Sequence, residues 1–85
     1  MKIYKFFANW CKSCITLNER LKNIDIPIES VDLDNATNIN LVKKYNIIKI
    51  PTIIFVDDNG DVLKKLNGSI TRDHLEDVYN KLTNN

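Results

Sequence analysis

The chain has 85 residues, 44% of them hydrophobic and 27% charged, with only two glycines and two prolines. Those proportions fit one small globular domain over 1–85 and exclude disordered, collagen-like and linker-like chains. Twelve basic and eleven acidic residues leave a net charge of +1, without the basic stripe of a nucleic-acid binder, and no apolar run approaches the ~18 residues of a membrane span.

Lys2 to Phe7 is rich in aromatic and β-branched residues and reads as a strand. Its apolar residues do not alternate cleanly, as expected of a strand covered on both faces. With two lysines and no small-residue cleavage site, this stretch does not read as an export signal. Asn9 is placed to cap a helix beginning near Cys11. Cys14, Leu17, Leu21 and Ile24 make one apolar stripe of that helix, and Pro27 stops it. Ile28 to Leu33 reads as a second strand. Asp34, Asn35 and Thr37 open a second helix with Leu41, Val42 and Tyr45 on its buried side and Asn46 as its C-terminal cap.

Thr52 to Val56 is the strongest strand signal. Asn59-Gly60, both able to take positive φ, then predicts a tight hairpin returning along Asp61 to Leu66. Thr71 caps a last helix, with Ile70 and Leu75 as a hydrophobic staple and Leu75, Val78, Tyr79 and Leu82 on the inner face. The order is β-α-β-α-β-β-α. Strands alternating with helices predict parallel pairing, and the final hairpin adds an antiparallel edge.

Cys11 and Cys14 are the two cysteines, in Trp10-Cys11-Lys12-Ser13-Cys14 at a strand-to-helix junction. A disulfide there closes so small a loop that it constrains the unfolded chain little, so chemistry explains the pair better than stapling. The unpaired N–H groups and the dipole at a helix start favour a thiolate, which should lower a thiol there below its free value of ~8.5. Cys11 is nearer the terminus and Cys14 lies on the apolar stripe. Cys11 is therefore the expected nucleophile and Cys14 the resolving thiol, with Lys12 adding positive charge. A shared metal site made by dimerisation and inert packing are the competing readings; His74, the one histidine, lies far off in the last helix and reads as exposed.

Phe6-Phe7-Ala8-Asn9-Trp10-Cys11-Lys12-Ser13-Cys14, then Ile50-Pro51-Thr52 opening a hydrophobic strand, Asn59-Gly60 in the next turn, and Gly68 before the last helix resemble the thioredoxin family in order across nearly the whole chain. The resemblance implies an α/β thioredoxin-like fold in a minimal version, lacking the family's extra N-terminal strand and helix. It implies a cis peptide bond at Pro51 facing the cysteines. It also implies a flat substrate surface of Trp10, Ile50, Pro51 and Gly68, with the Ile50 backbone offered to an extended chain.

Three features depart from the family pattern. Lys12-Ser13 stands where Gly-Pro is usual. Lys5 replaces a buried aspartate, and Ser30 its lysine partner. Asn67 precedes Gly68 where an apolar residue is common. Lys5 is expected beneath the active site, paired with Asp32 and favouring the thiolate; the alternative is a lysine that snorkels out at a strand edge.

The expected function is reduction of protein disulfides by dithiol exchange. It needs no cofactor or metal beyond the Cys11–Cys14 pair, and the resemblance implies a flavoprotein thioredoxin reductase as electron donor. A cytoplasmic monomer that binds neither nucleic acid nor membrane completes the expectation. Two rivals are a glutaredoxin-like protein reduced by glutathione, against which Ile50-Pro51-Thr52 counts, and a non-catalytic module that grips a partner with the same apolar face.

Overall fold

The computed structural model describes residues 1–84. Strands β1 (Lys2–Phe7), β2 (Glu29–Asp32), β3 (Thr52–Val56) and β4 (Val62–Asn67) form a sheet in the order β2-β1-β3-β4. Helices α1 (Lys12–Arg20), α2 (Ile39–Lys44) and α3 (Arg72–Thr83) complete the expected element order, and a 3-10 turn at Ala36–Asn38 leads into α2.

The sheet is covered on both sides, which is why β1 and β3 lack a simple alternation. Ile3, Ile53, Phe55 and Leu66 pack on one face with Leu17 and Leu21 of the α1 segment and Leu75 and Val78 of α3. Tyr4, Phe6, Val31, Ile54 and Val56 fill the other face with Tyr45, backed by Leu41 and Val42 of α2. All five residues of β3 are buried, as expected of a central strand.

Strand direction differs from the parallel expectation. β1 and β2 are parallel, but β3 runs antiparallel to both β1 and β4. The link through α2 brings the chain back to the end of the sheet where β1 finishes, so β3 starts there and runs the opposite way. In this register Phe6 faces Thr52, and Thr52 faces Asn67. The end of β1, the start of β3 and the end of β4 therefore meet at one edge of the sheet. This placement brings residues 8–14, 50–51 and 68 together.

Several local expectations are corrected. Cys11, not Asn9, is the N-cap of α1: it is extended, at φ −89° and ψ 111°, and its sulfur accepts the Cys14 N–H at 3.3 Å. Asn9 lies in the preceding turn, which the Cys11 N–H closes onto the Ala8 carbonyl at 3.2 Å. α1 ends at Arg20, well before Pro27: Leu21 caps it at φ −96° and ψ 7°, and Asn23 beyond it takes a left-handed φ of 61°. Ile24 still packs on the core as part of the loop. The β3–β4 turn has positive φ at Gly60 and not at Asn59. The Asp57 carboxylate organises it instead, accepting the N–H groups of Asn59 and Asp61, each at 2.9 Å. A bulge at Phe55/Val56 absorbs the extra residue. Thr71 caps α3 as expected, accepting the His74 N–H at 3.2 Å, and the staple residues Ile70 and Leu75 share one core cluster. Asn46, at φ 52°, closes α2 as expected.

Candidate active site

Cys11 and Cys14 are free thiols whose sulfurs lie 2.6 Å apart at the front of α1. Cys14 sits one turn inside the helix on its apolar side and is 2% exposed, whereas Cys11 at the cap is 9% exposed. The two pack with Ala8 in a small cluster of their own, closed by Phe7 and Ile50. Cys11 is thus the more accessible of the two sulfurs.

Burial pushes the Cys14 thiol up to about 11, and the hydrogen bond it donates to Cys11 adds to the rise. A backbone hydrogen bond at Ala8 and the positive charge of Lys5 oppose it. Cys14 is thus held as a thiol at neutral pH. The Cys11 sulfur, in contrast, accepts a backbone N–H from the helix's first turn, the arrangement that steadies developing negative charge on sulfur.

Pro51 follows a cis peptide bond with Ile50 and is buried. Ile50 packs directly against the cysteine cluster. Trp10 is 70% exposed beside Cys11. Gly68 is exposed at φ 78°, with nothing within 4 Å of where a Cβ would stand. The four residues expected to form the contact surface therefore converge on the edge of the sheet that carries the thiols. Lys12 is the first residue of α1 and is exposed.

Lys5 corrects one expectation. It points toward α1, and its ammonium donates to Asn18 Oδ1 and lies 5.9 Å from the centre of the Phe7 ring. It does not pair with Asp32, because the β1–β2 register sets Ser30 opposite Lys5 and Asp32 opposite Phe7. The Asp32 carboxylate instead accepts the Asp34 N–H at 2.9 Å. Asn18 stands one turn beyond Cys14 on the same face of α1, so Lys5 does lie beneath the cysteine helix. Burial lowers its ammonium below the ordinary lysine range, while the neighbouring Cys14 sulfur pulls it back up.

Sequence reasoning missed Asn18 and Ala8. The spacing of four from Cys14 was the available signal for Asn18; Ala8 has no side-chain chemistry to announce it. It also missed Arg20, whose guanidinium donates to the Ile70 carbonyl at 3.0 Å and ties α1 to the loop after Gly68.

The family model "Thioredoxin" matches residues 1–81. The mitochondrial thioredoxin of Bos taurus is 31% identical over 94% of this chain and 50% of its own length. A thioredoxin of Staphylococcus epidermidis is 29% identical over 95% of this chain and 81% of its own. The chain thus spans about half the length of the mammalian relatives it matches. Among solved structures, a thioredoxin-like protein of Clostridium perfringens superposes with a TM-score of 0.80 at 24% identity, over 96% of this chain and 70% of that one. A thioredoxin of Thermus thermophilus superposes with a TM-score of 0.75 at 21% identity, covering 94% and 71%. Both likenesses concern the fold. With a family match over nearly its full length and a paired thiol at the front of its first helix, the chain belongs to the thioredoxin family.

Proposed function

We propose that this protein is a thiol–disulfide oxidoreductase that reduces protein disulfides. The observation that carries the proposal is the asymmetric thiol pair. One sulfur lies at the helix cap and receives a backbone N–H; the other is buried behind it and held protonated.

The Cys11 thiolate attacks one sulfur of the substrate disulfide. That S–S bond breaks, the second substrate sulfur leaves as a thiolate, and a mixed disulfide joins Cys11 to the substrate. Cys14 then gives up its proton and attacks the Cys11 sulfur, forming the Cys11–Cys14 disulfide and expelling the remaining substrate thiolate. Two electrons pass from the protein's dithiol to the substrate, and the departing sulfurs take up two protons. The sulfurs carry the electrons, so the reaction uses no metal or organic cofactor.

Trp10, Ile50, Pro51 and Gly68 supply the surface against which an extended substrate segment lies. Lys12, exposed at the first turn, and Lys5, beneath the helix, favour negative charge on the sulfurs. Restoring the dithiol requires an external reductant; a flavoprotein of the thioredoxin reductase class suits a thioredoxin-family protein. The chain works as a cytoplasmic monomer in this reading. Among the described residues, no helix is long and apolar enough to cross a membrane.

Reduction of a disulfide-linked peptide pair under each of two electron sources tests the proposal. Wild type should turn over with thioredoxin reductase and NADPH. Cys11→Ser should abolish turnover, and Cys14→Ser should accumulate a one-to-one mixed disulfide with the peptide. Turnover by Cys11→Ser would overturn the proposal. Efficient turnover with glutathione alone would assign the electron supply to glutathione.

A further inference from the structure

A groove of about 370 Å³ runs along α1 away from the cysteines. Its α1 wall carries Ser13, Thr16 and Arg20, and its other wall is the Gly68-Ser69 loop, with Leu17 and Ile70 also lining it. Ser13, Thr16 and Arg20 lie at i, i+3 and i+7, one face of the helix. Ser13 stands between the two reactive cysteines in the chain, so the groove begins on the helix turn that carries them, although neither sulfur lines it. The far wall is open at Gly68, where no atom lies within 4 Å of a Cβ position.

Arg20 closes the other end. Its hydrogen bond to the Ile70 carbonyl at 3.0 Å fixes the guanidinium in place. That bond uses one of the five N–H donors of an arginine. Among the described residues, none of the ion pairs includes Arg20. Arg72 adds positive charge close by, donating to the Arg20 and Lys22 carbonyls at 3.4 and 2.8 Å, although Glu76 at 3.7 Å offsets part of it. A held, unneutralised guanidinium at the end of a hydroxyl-lined groove matches a carboxylate.

We propose that this groove seats the segment flanking a substrate disulfide and that Arg20 selects an acidic side chain on it. The proposal rests on the disulfide-reductase reading and specifies its substrate. Arg20 lies seven helical steps beyond Ser13, a span of about 10 Å. An extended chain covers that distance in about three residues. The favoured protein disulfides therefore carry Asp or Glu about three residues from the attacked cysteine.

The test uses three disulfide-linked peptides identical except for Glu, Gln or Lys three residues from the attacked cysteine, each made with the variable residue on the N- or the C-terminal side. Wild type should reduce the Glu peptide about 3–10-fold faster than the Gln peptide in one of the two orientations, with the ratio shrinking in high salt. Arg20→Gln should bring the ratio near one. Arg20→Glu should invert it, favouring the Lys peptide, an inversion that mere structural damage does not produce. Equal wild-type rates on all three peptides in both orientations would overturn the groove proposal and leave the reductase reading standing. Failure of wild type to reduce any of them would strike the reductase reading itself.

Discussion

Raising the pH on the reduced protein probes the buried thiol directly. Cys14 is 2% exposed and holds its proton up to about 11, well above an ordinary thiol. A folded-state value above the unfolded one means that the native protein binds this proton more tightly. The resulting stability is complete below pH 9 and is lost as the pH rises through about 11. The gap of about two pH units is worth about 2–3 kcal/mol, of which about 2 kcal/mol is gone at pH 11. A domain of this length has about 4–13 kcal/mol in total, so the loss is large. Urea unfolding of reduced wild type and reduced Cys14→Ala, at pH 8 and pH 11, isolates it. Contributions common to both proteins largely cancel in the comparison. Wild type should lose about 2 kcal/mol more than Cys14→Ala between the two pH values. Oxidised wild type, whose Cys14 has no proton to lose, should behave like the variant. If wild type and Cys14→Ala lose the same amount, the buried-thiol argument is wrong.

Three further outcomes follow from the same geometry. At pH 8, with about one Cys14 in a thousand ionised, iodoacetamide should modify Cys11 alone, as read by peptide mass mapping; modification at Cys14 of comparable rate would contradict the assigned roles. Lys5→Met should lengthen the lifetime of the Cys11 mixed disulfide about 3–10-fold by removing a cation from beneath Cys14, and should raise the thermal midpoint by replacing a half-buried ammonium with an apolar chain. The wild-type midpoint should also climb relative to this variant as the pH approaches 10.5, the ordinary lysine value toward which the lowered group loses its proton; parallel pH profiles would remove Lys5 from the account. Phe55→Ala, at a fully buried site on the α1–α3 face, should lose about 3–5 kcal/mol in urea unfolding, and a loss below about 1 kcal/mol would mean that this core is looser than described.

The thiol pair can be read in the chain because the signals there are local. A strand of aromatic and β-branched residues, two cysteines three apart and a 3.6-residue stripe are all set within about 20 residues. The same spacing carries the asymmetry of the pair: Cys14 on the stripe is the more buried, and Cys11 at the cap is the more accessible. Thr52 to Val56 and the Thr71 cap are legible for the same reason. Asn9 as N-cap fails because a sulfur competes for that place. A cysteine is not among the residues that the capping preference favours, yet its Sγ receives the first-turn N–H.

Whatever register decides is hidden from the chain. Pairing Lys5 with Asp32 follows from placing both on neighbouring strands. In a parallel pair, an offset of two residues decides whether two side chains face each other, and Asp32 comes opposite Phe7. The same limit hides the direction of β3. Alternating strands and helices suggest parallel pairing, but had β3 run parallel to β1, Pro51 would have opened at the far end of the sheet, a full strand length from the thiols. The antiparallel pairing of Phe6 with Thr52 is what brings the cis-proline loop to Cys11. Resemblance gathers the contact surface from residues scattered along the chain. Its physical basis is a single fact of topology: β1 and β4 end, and β3 begins, at the same edge.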